Sequence, residues 1–364
     1  MARQRVTMED IAMAAGVSRG TVDRAFNNRG RIDDRTRRLV LEKALELGYE
    51  PNRLARTLAL RPSFRISAIF PSEPPDFFDQ IADGMRVAES ELKDFGLRID
   101  YRRTGTHDVA KEMEFLEEML SVDSTDERPG GILIAAAHPL LLNALIAKAA
   151  DGGIPVMTLN TDAPGSKRLC FIGQDSIVAG RVAGELLSRF IGGRGKVAVL
   201  TGFSEVLNLR ERLEGFREEI EKHFPAIEII GPYEYYDNEK NAYQTAKRIL
   251  HDIPRLAGIY VTSGIGLRAV GRAVKEHGAD RGVRVVGFDL DDEVREMLRD
   301  DIIQATICQD PFAQGYFAVR LMFNHLAEGF KPENPVLHTR SDVVLRGNAQ
   351  EADEAGWLRK TVGT

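Results

Sequence analysis

The fold class this sequence predicts is a small all-α helix-turn-helix domain followed by an α/β body of two Rossmann-like subdomains with parallel sheets. Three observations predict it. The run Val6–Asn28, VTMEDIAMAAGVSRGTVDRAFNN, has the spacing of two short helices joined by a tight turn. From Ile66 onward, short apolar runs alternate with amphipathic helical stretches, as in parallel sheets covered on both faces. That alternation continues for about 300 residues, which is large for one sheet, so two subdomains are expected.

The first helix has Thr7 as N-cap and Asp10 as the capping-box acid three residues on. Ile11, Ala12 and Ala15 form its apolar face, and Gly16 supplies the left-handed stop. Ser18 caps a second helix that turns Val22 and Phe26 inward and leaves Arg19 and Arg24 outward. A second helix of this kind enters a DNA major groove. An arginine on its exposed face that bonds guanine bidentately is the commonest specific base contact. A third helix over Asp34–Leu47 is capped by Asp33, carries Leu39, Val40 and Leu45 as its stripe, and stops at Gly48. Residues 51–59 make one short helix that Pro62 ends.

The apolar runs are Ile66–Phe70, Gly131–Ala136, Val156–Leu159, Val197–Thr201, Gly258–Thr262, Val283–Phe288 and Ile302–Ile307. Helical stretches over Phe78–Phe95, Ser176–Phe190, Arg210–His223, Glu239–His251 and Gly266–His277 separate them. Ligands of open α/β sheets sit at the carboxyl ends of the strands. Phe77, Phe78, His138, Asn160, Thr161, Asp162, Tyr235, Tyr236, Asp237, Ser263, Asp289 and Gln309 follow those ends, and a loop after Thr201 leads into Arg210. Aromatic faces with hydroxyl, amide, carboxylate and guanidinium groups suit a small polyhydroxylated ring.

The net charge of −6 is unevenly shared. Residues 1–62 hold 13 Lys and Arg against 8 Asp and Glu, a surplus of five; the remainder holds 36 against 47, a deficit of eleven. A basic segment fused to an acidic body fits a nucleic-acid reader. Cys170 and Cys308 are the only cysteines, without metal spacing, so a reduced, cytoplasmic chain without zinc is expected. No membrane-spanning run or signal-like segment is read.

The first segment and GYEPNRLARTL resemble the DNA-binding domain and hinge of the LacI/GalR transcriptional regulators. The body from Phe64 to Asn348 resembles the periplasmic sugar-binding proteins of the ribose-binding type, a type I periplasmic binding protein fold. It does so in FFDQIADGM, PVMTLN, FIGQDSIVAGRVAGELL, RERLEGF, VVGFD and QATICQDP. The resemblance implies a homodimer on a palindromic double-stranded DNA operator, controlled by a sugar or polyol effector held between the subdomains. It implies repression as the outcome, no enzyme activity and no cofactor. The expected DNA contacts are Thr7, Ser18, Arg19, Gly20, Thr21, Arg24, Asn27 and Arg53, with Leu58 wedged into the minor groove from paired hinge helices. For the effector it implies Phe77 and Phe78 against the ring, Asn160 on hydroxyls, Arg210 donating, Tyr236 as a further wall, and Ser263, Asp289 and Gln309 at the rim. Two departures stand out. Asn160-Thr161 replaces a common Asp-Arg, and Ser263-Gly264 replaces a common Asn-Asp; both leave room for a less hydroxylated or larger ligand.

The expected domains are 1–50 for DNA binding, 51–63 for hinge and linker, and 64–364 for the body. Within the body the N-subdomain is about 64–174 and 310–338, the C-subdomain about 175–309 and 339–364. A competing reading is a dinucleotide-dependent oxidoreductase with an appended helix-turn-helix. Gly264–Ala269 fits G-x-G-x-x-A between a strand and a helix, but no catalytic acid or base stands beside it. Gly192–Lys196 lacks the Ser or Thr of a P-loop, and the seven histidines, His107 among them, are scattered enough to be read as surface or loop residues. The tail after Gly347 has no sustained heptads, so a dimer without a tetramerising coil is expected.

Overall fold

A computed structural model describes residues 6–27, 32–47, 63–122, 128–278 and 282–352. The expected hinge helix, with Arg53 and Leu58, the tail beyond 352, and the side chain of Asn27 lie outside the described residues. The chain divides into two units, Met1–Arg61 and Pro62–Thr364.

The first unit is helical: α1 (Met8–Ala15), α2 (Arg19–Asn27) and α3 (Asp34–Glu46). The capping box forms as the sequence predicts. Thr7 Oγ1 accepts from the Asp10 amide at 3.3 Å, and the Thr7 amide donates to Asp10 Oδ2 at 2.7 Å. Gly16 ends α1 at φ +65°. Ser18 Oγ accepts from the Thr21 amide, and Asp33 caps α3 by accepting from the Thr36 amide. The core joins Ile11, Ala15, Val22, Ala25, Val40 and Ala44. Leu39 does not belong to it: its side chain is exposed. One residue is about 100° of helix rotation, so a face aimed by Val40 and Ala44 turns Leu39 to solvent.

The second unit begins with β1 (Phe64–Pro71), α4 (Pro75–Leu92), β2 (Leu97–Thr104), α5 (Val109–Ser121), β3 (Gly131–Ile134), α6 (Asn143–Asp151), β4 (Val156–Leu159) and β5 (Cys170–Gly173). The chain continues through α7 (Ser176–Phe190), β6 (Gly195–Thr201), α8 (Leu207–His223), β7 (Ile227–Glu234), α9 (Glu239–Asp252), β8 (Leu256–Val261), α10 (Gly264–His277), β9 (Arg284–Phe288), α11 (Asp292–Arg299) and β10 (Ala305–Cys308). It closes with α12 (Pro311–Glu328), β11 (Val336–His338) and β12 (Asp342–Val344).

Two sheets result, ordered β11-β5-β4-β3-β1-β2 and β12-β10-β9-β8-β6-β7. Their pairings are parallel except β12, which runs antiparallel to β10. Each sheet is the floor of one lobe. The chain passes between lobes three times, after β5, after β10 and after β11. In each sheet the strand order reverses beside its first strand, between β1 and β3 and between β6 and β8. A crevice opens at the carboxyl ends there.

Each expected apolar run contains a strand, with one shift. Ile302 and Ile303 do not extend β10; their amides return to the Met297 carbonyl at the end of α11. Both side chains are buried, so burial alone does not separate a strand from a helix stop. β2, β5, β7, β11 and β12 lie outside the expected apolar runs, although the region around Ile229 in β7 is expected to end in a site loop. These are short or lie at sheet edges, and β2 and β7 carry polar residues.

The C-terminal lobe depends on one close helix pair. A Cβ added at Gly180 of α7 would stand 2.2 Å from the Arg212 carbonyl oxygen, and one at Gly215 of α8 would stand 2.0 Å from that of Ile177. Two glycines thus let the backbones touch and set the position of α8. Gly180→Ala should push α8 away and cost about 1–3 kcal/mol, measured as a lowered urea midpoint of the full chain; an unchanged midpoint would contradict the packing.

Candidate functional site

Between the lobes of the second unit lies a cavity of about 100 Å³. Phe77 and Phe78, in the first turn of α4, form an apolar wall and meet edge to face at 5.2 Å. Asn160 follows β4, Ser263 follows β8, and Asp289 follows β9; Gln309 lies in the crossing after β10. A chain of bonds joins them across the lobes. Asn160 Nδ2 donates to Gln309 Oε1 at 3.3 Å, Gln309 Nε2 donates to Asp289 Oδ1 at 2.6 Å, and the Gly264 amide donates to Asp289 Oδ2 at 3.2 Å. Asn160 and Asp289 both hold left-handed backbone, φ 60° and 66°. Asn and Asp tolerate this conformation best, and such residues gather at functional sites.

Two expected residues are not in this cavity. Arg210 is exposed. The guanidinium that lines the cavity belongs to Arg212, which is 1% exposed. Its Nη1 donates to the Thr262 carbonyl and its Nη2 to Gln174 Oε1, both at 2.9 Å. The guanidinium carbon lies 3.9 Å from the centre of the Phe288 ring. Burying a charge is tolerated when it is bonded and stacked in this way. Two residues along a helix turn the side chain through about 200°, so Arg210 and Arg212 face opposite ways. Tyr236 is 61% exposed and also lies outside the cavity. Its neighbour Tyr235 is buried, with its hydroxyl 2.5 Å from Ser263 Oγ. Burial and the nearby Asp237 carboxylate push the Tyr235 hydroxyl well above its usual range.

His107, expected as a surface or loop residue, and Asp237, expected after a strand end but given no role, also belong to the site. They line the cavity from opposite lobes, with His107 Nε2 2.5 Å from Asp237 Oδ2. Their pairing does not signal itself in sequence, because the contact spans 130 positions. The amide of Ala137, in the cavity lining, donates to Glu112 Oε2 at 3.0 Å, and Glu112 Oε1 has no hydrogen-bond partner among the described residues. Burial pushes this carboxyl up to about 8, so it is protonated at neutral pH. Thr161 lines the cavity but spends its hydroxyl on the Ala136 carbonyl.

The dinucleotide pattern has a different explanation. Gly264 starts α10 with its amide on the Asp289 carboxylate. A Cβ at Gly266 would stand 2.3 Å from the Tyr235 hydroxyl oxygen. The glycines serve packing, and a carboxylate occupies the helix start where a pyrophosphate would lie.

On the helical unit, α2 presents Arg19 and Arg24 to solvent. Arg19 Nε lies 2.9 Å from Glu9 Oε1; Arg24 Nε donates to the Gly20 carbonyl at 3.1 Å and its Nη2 to Thr21 Oγ1 at 3.4 Å. Ser18 and Thr21 join hydroxyls at 2.9 Å at the helix start. Thr7 stands at the start of α1 in its capping box.

Residues 7–52 match the model of the bacterial regulatory proteins of the lacI family, and residues 66–330 match the periplasmic binding protein domain. The chain belongs to the periplasmic binding protein domain family and carries a lacI-family DNA-binding domain ahead of it. Its relatives include the ribose operon repressor of Bacillus subtilis, 25% identical over 78% of this chain and 81% of the relative. Another is the HTH-type transcriptional regulator CelR of Thermobifida fusca, 28% identical over 79% and 83%. Among solved structures, the sugar-binding protein of a Bacillus halodurans sugar ABC transporter is 28% identical, covering 79% of this chain and 99% of that one, with a TM-score of 0.70. With its lacI-family DNA-binding domain, this chain is a DNA-binding transcriptional regulator whose body has the periplasmic binding protein fold. Among the described residues no helix is long and apolar enough to cross a membrane.

Proposed function

We propose that this regulator is a cytoplasmic, homodimeric, non-enzymatic repressor that reads a palindromic operator and answers to a sugar or similar polyol held between the lobes of its body. The observation that carries the reading is one cavity combining an aromatic wall, Phe77 and Phe78, with Asn160, Arg212, Asp289 and Gln309. That donor and acceptor set fits ring hydroxyls, which both donate and accept. Its similarity to a ribose operon repressor and to a sugar-binding protein supports the same ligand class.

The residues proposed to meet the effector are Phe77, Phe78, Asn160, Arg212, Ser263, Asp289 and Gln309, with Arg212 in place of Arg210 and without Tyr236. Those proposed to meet DNA are Thr7, Ser18, Arg19, Gly20, Thr21, Arg24, Asn27, Arg53 and Leu58. One small helical unit makes few contacts, and a two-fold pair doubles them.

A thermal-shift screen of sugars and polyols against the full chain tests the ligand class. A bound ligand raises the melting temperature by mass action; no shift with any neutral sugar or polyol would contradict it. Arg24→Ala should weaken specific DNA binding by about 1–3 kcal/mol with little change on random DNA, if the guanidinium reads a base. Equal loss on both DNAs in a gel-shift titration would assign Arg24 to phosphate.

A further inference from the structure

We propose that His107 and Asp237 are specificity-determining residues: together they clasp the lobes at the end of the cleft farthest from the crossings and limit the effector to a single ring. This rests on the sugar-binding reading of the cavity.

His107 follows β2 and Asp237 follows β7, and these are the edge strands of their sheets. The crossings follow β5, β10 and β11, at the other side of each sheet. A contact so far from the crossings is made only when the lobes are fully closed. It is also built as a socket. The His107 ring from one lobe stacks on Phe203 of the other, centroids 5.2 Å apart and planes within 20°. Its Nε2 meets Asp237 Oδ2, while Asp237 Oδ1 accepts from Ser263 Oγ at 3.2 Å. Asp237 is held from behind, since a Cβ at Gly202 would stand 2.1 Å from its carboxylate. His107 and Asp237 both adopt left-handed backbone, φ 56° and 47°. Two loops hold a costly conformation to bring these side chains together.

The clasp closes one end of the cavity. Toward the crossings, Asn160 and Gln309 bound the other end, with Asn160 Nδ2 donating to Gln309 Oε1 at 3.3 Å. Arg268 adds a further bridge between the lobes, reaching Asp76 at 3.0 Å. A ring between Phe77 and Asp289 fits inside these closures. A second ring linked to it would occupy the place where His107 meets Asp237, and the clasp would have to open.

The test uses the full chain with two readouts. D-ribose, D-glucose and D-galactose are compared with maltose, cellobiose and lactose by thermal shift, in the wild type and in His107→Ala. Spin labels at Arg98→Cys and Glu228→Cys, both exposed positions, report the distance between lobes without ligand. Monosaccharides alone should shift the wild type. His107→Ala should gain disaccharide affinity by about ten-fold or more, and its label distances should move longer. A wild type shifted equally by a disaccharide overturns the proposal, as do label distances that His107→Ala leaves unchanged. If no saccharide of either size shifts the wild type, the sugar reading of the cavity fails, and the label distances still decide whether the clasp closes it.

Discussion

Arg212→Ala should abolish the effector response of the body, and Arg210→Ala should leave it intact. The two arginines lie two residues apart in one motif, so the pair is its own control. Arg212 is buried, bonded to the Thr262 carbonyl and Gln174, and stacked on Phe288. Removing one member of a buried, hydrogen-bonded network leaves its partners unpaired and costs about 2–5 kcal/mol. In binding that is a loss of about 30-fold to more than 1000-fold. Stability should fall as well, because the Gln174 amide oxygen and the Thr262 carbonyl lose their donors. Isothermal titration with a ligand found by thermal shift reads the first effect, and urea unfolding reads the second. Arg212→Lys should not restore affinity, since an ammonium cannot reach both acceptors in the planar geometry of a guanidinium. Equal ligand affinity in Arg212→Ala and the wild type would remove Arg212 from the site.

Glu112→Gln should flatten the pH dependence of the body's stability. Burial raises the native carboxyl to about 8 from an ordinary value of 4.5. Below pH 4.5 the group is protonated in both states and contributes no pH dependence. Between 4.5 and about 8 the unfolded chain gives up the proton while the native state keeps it, so stability falls as pH rises. Above 8 the loss is complete, at about 5 kcal/mol for that gap. Glu211, raised to about 7 by burial and by Asp162 and Asp175, slopes in the same direction but ends sooner. The glutamine variant should therefore lose the slope between pH 7 and 8 in particular, and be more stable than the wild type at pH 8.5. Its amide oxygen can still accept from the Ala137 amide. Urea midpoints across pH 5–9 check this, and parallel curves for the two proteins would contradict it.

The sequence made the helical unit and the alternation of the body legible, because both rest on local rules. The Thr7–Asp10 box, the Gly16 stop and the Ser18 cap are short-range chemistry, and all three form. Central strands are continuous apolar runs, so each expected run holds one. The edge strands β2 and β7 carry charge along their open sides, which hides their period.

The site was half legible for a related reason. Residues directly after a central strand, Asn160, Ser263 and Asp289, reach the cavity because the sheet delivers them there. Arg212 sits within a helix, where position on the face decides. Leu209, Phe216 and Ile220, at −3, +4 and +8 from it, are all buried. That periodicity places Arg212 inward and Arg210 outward, and it was available in the sequence. The motif RERLEGF offered its first arginine and obscured this. Nothing local distinguishes His107, whose partner comes from the other lobe.

The most direct test of effector control is reciprocal linkage. A stabilising sugar or polyol is titrated into the full chain with and without a palindromic operator duplex, and operator affinity is measured with and without that ligand. If the body controls the reader, the ligand changes operator affinity by some factor, and the operator changes ligand affinity by the same factor. Coupling of this kind is about 5–150-fold in typical systems. A ligand that binds the body tightly and leaves operator affinity unchanged would contradict the account.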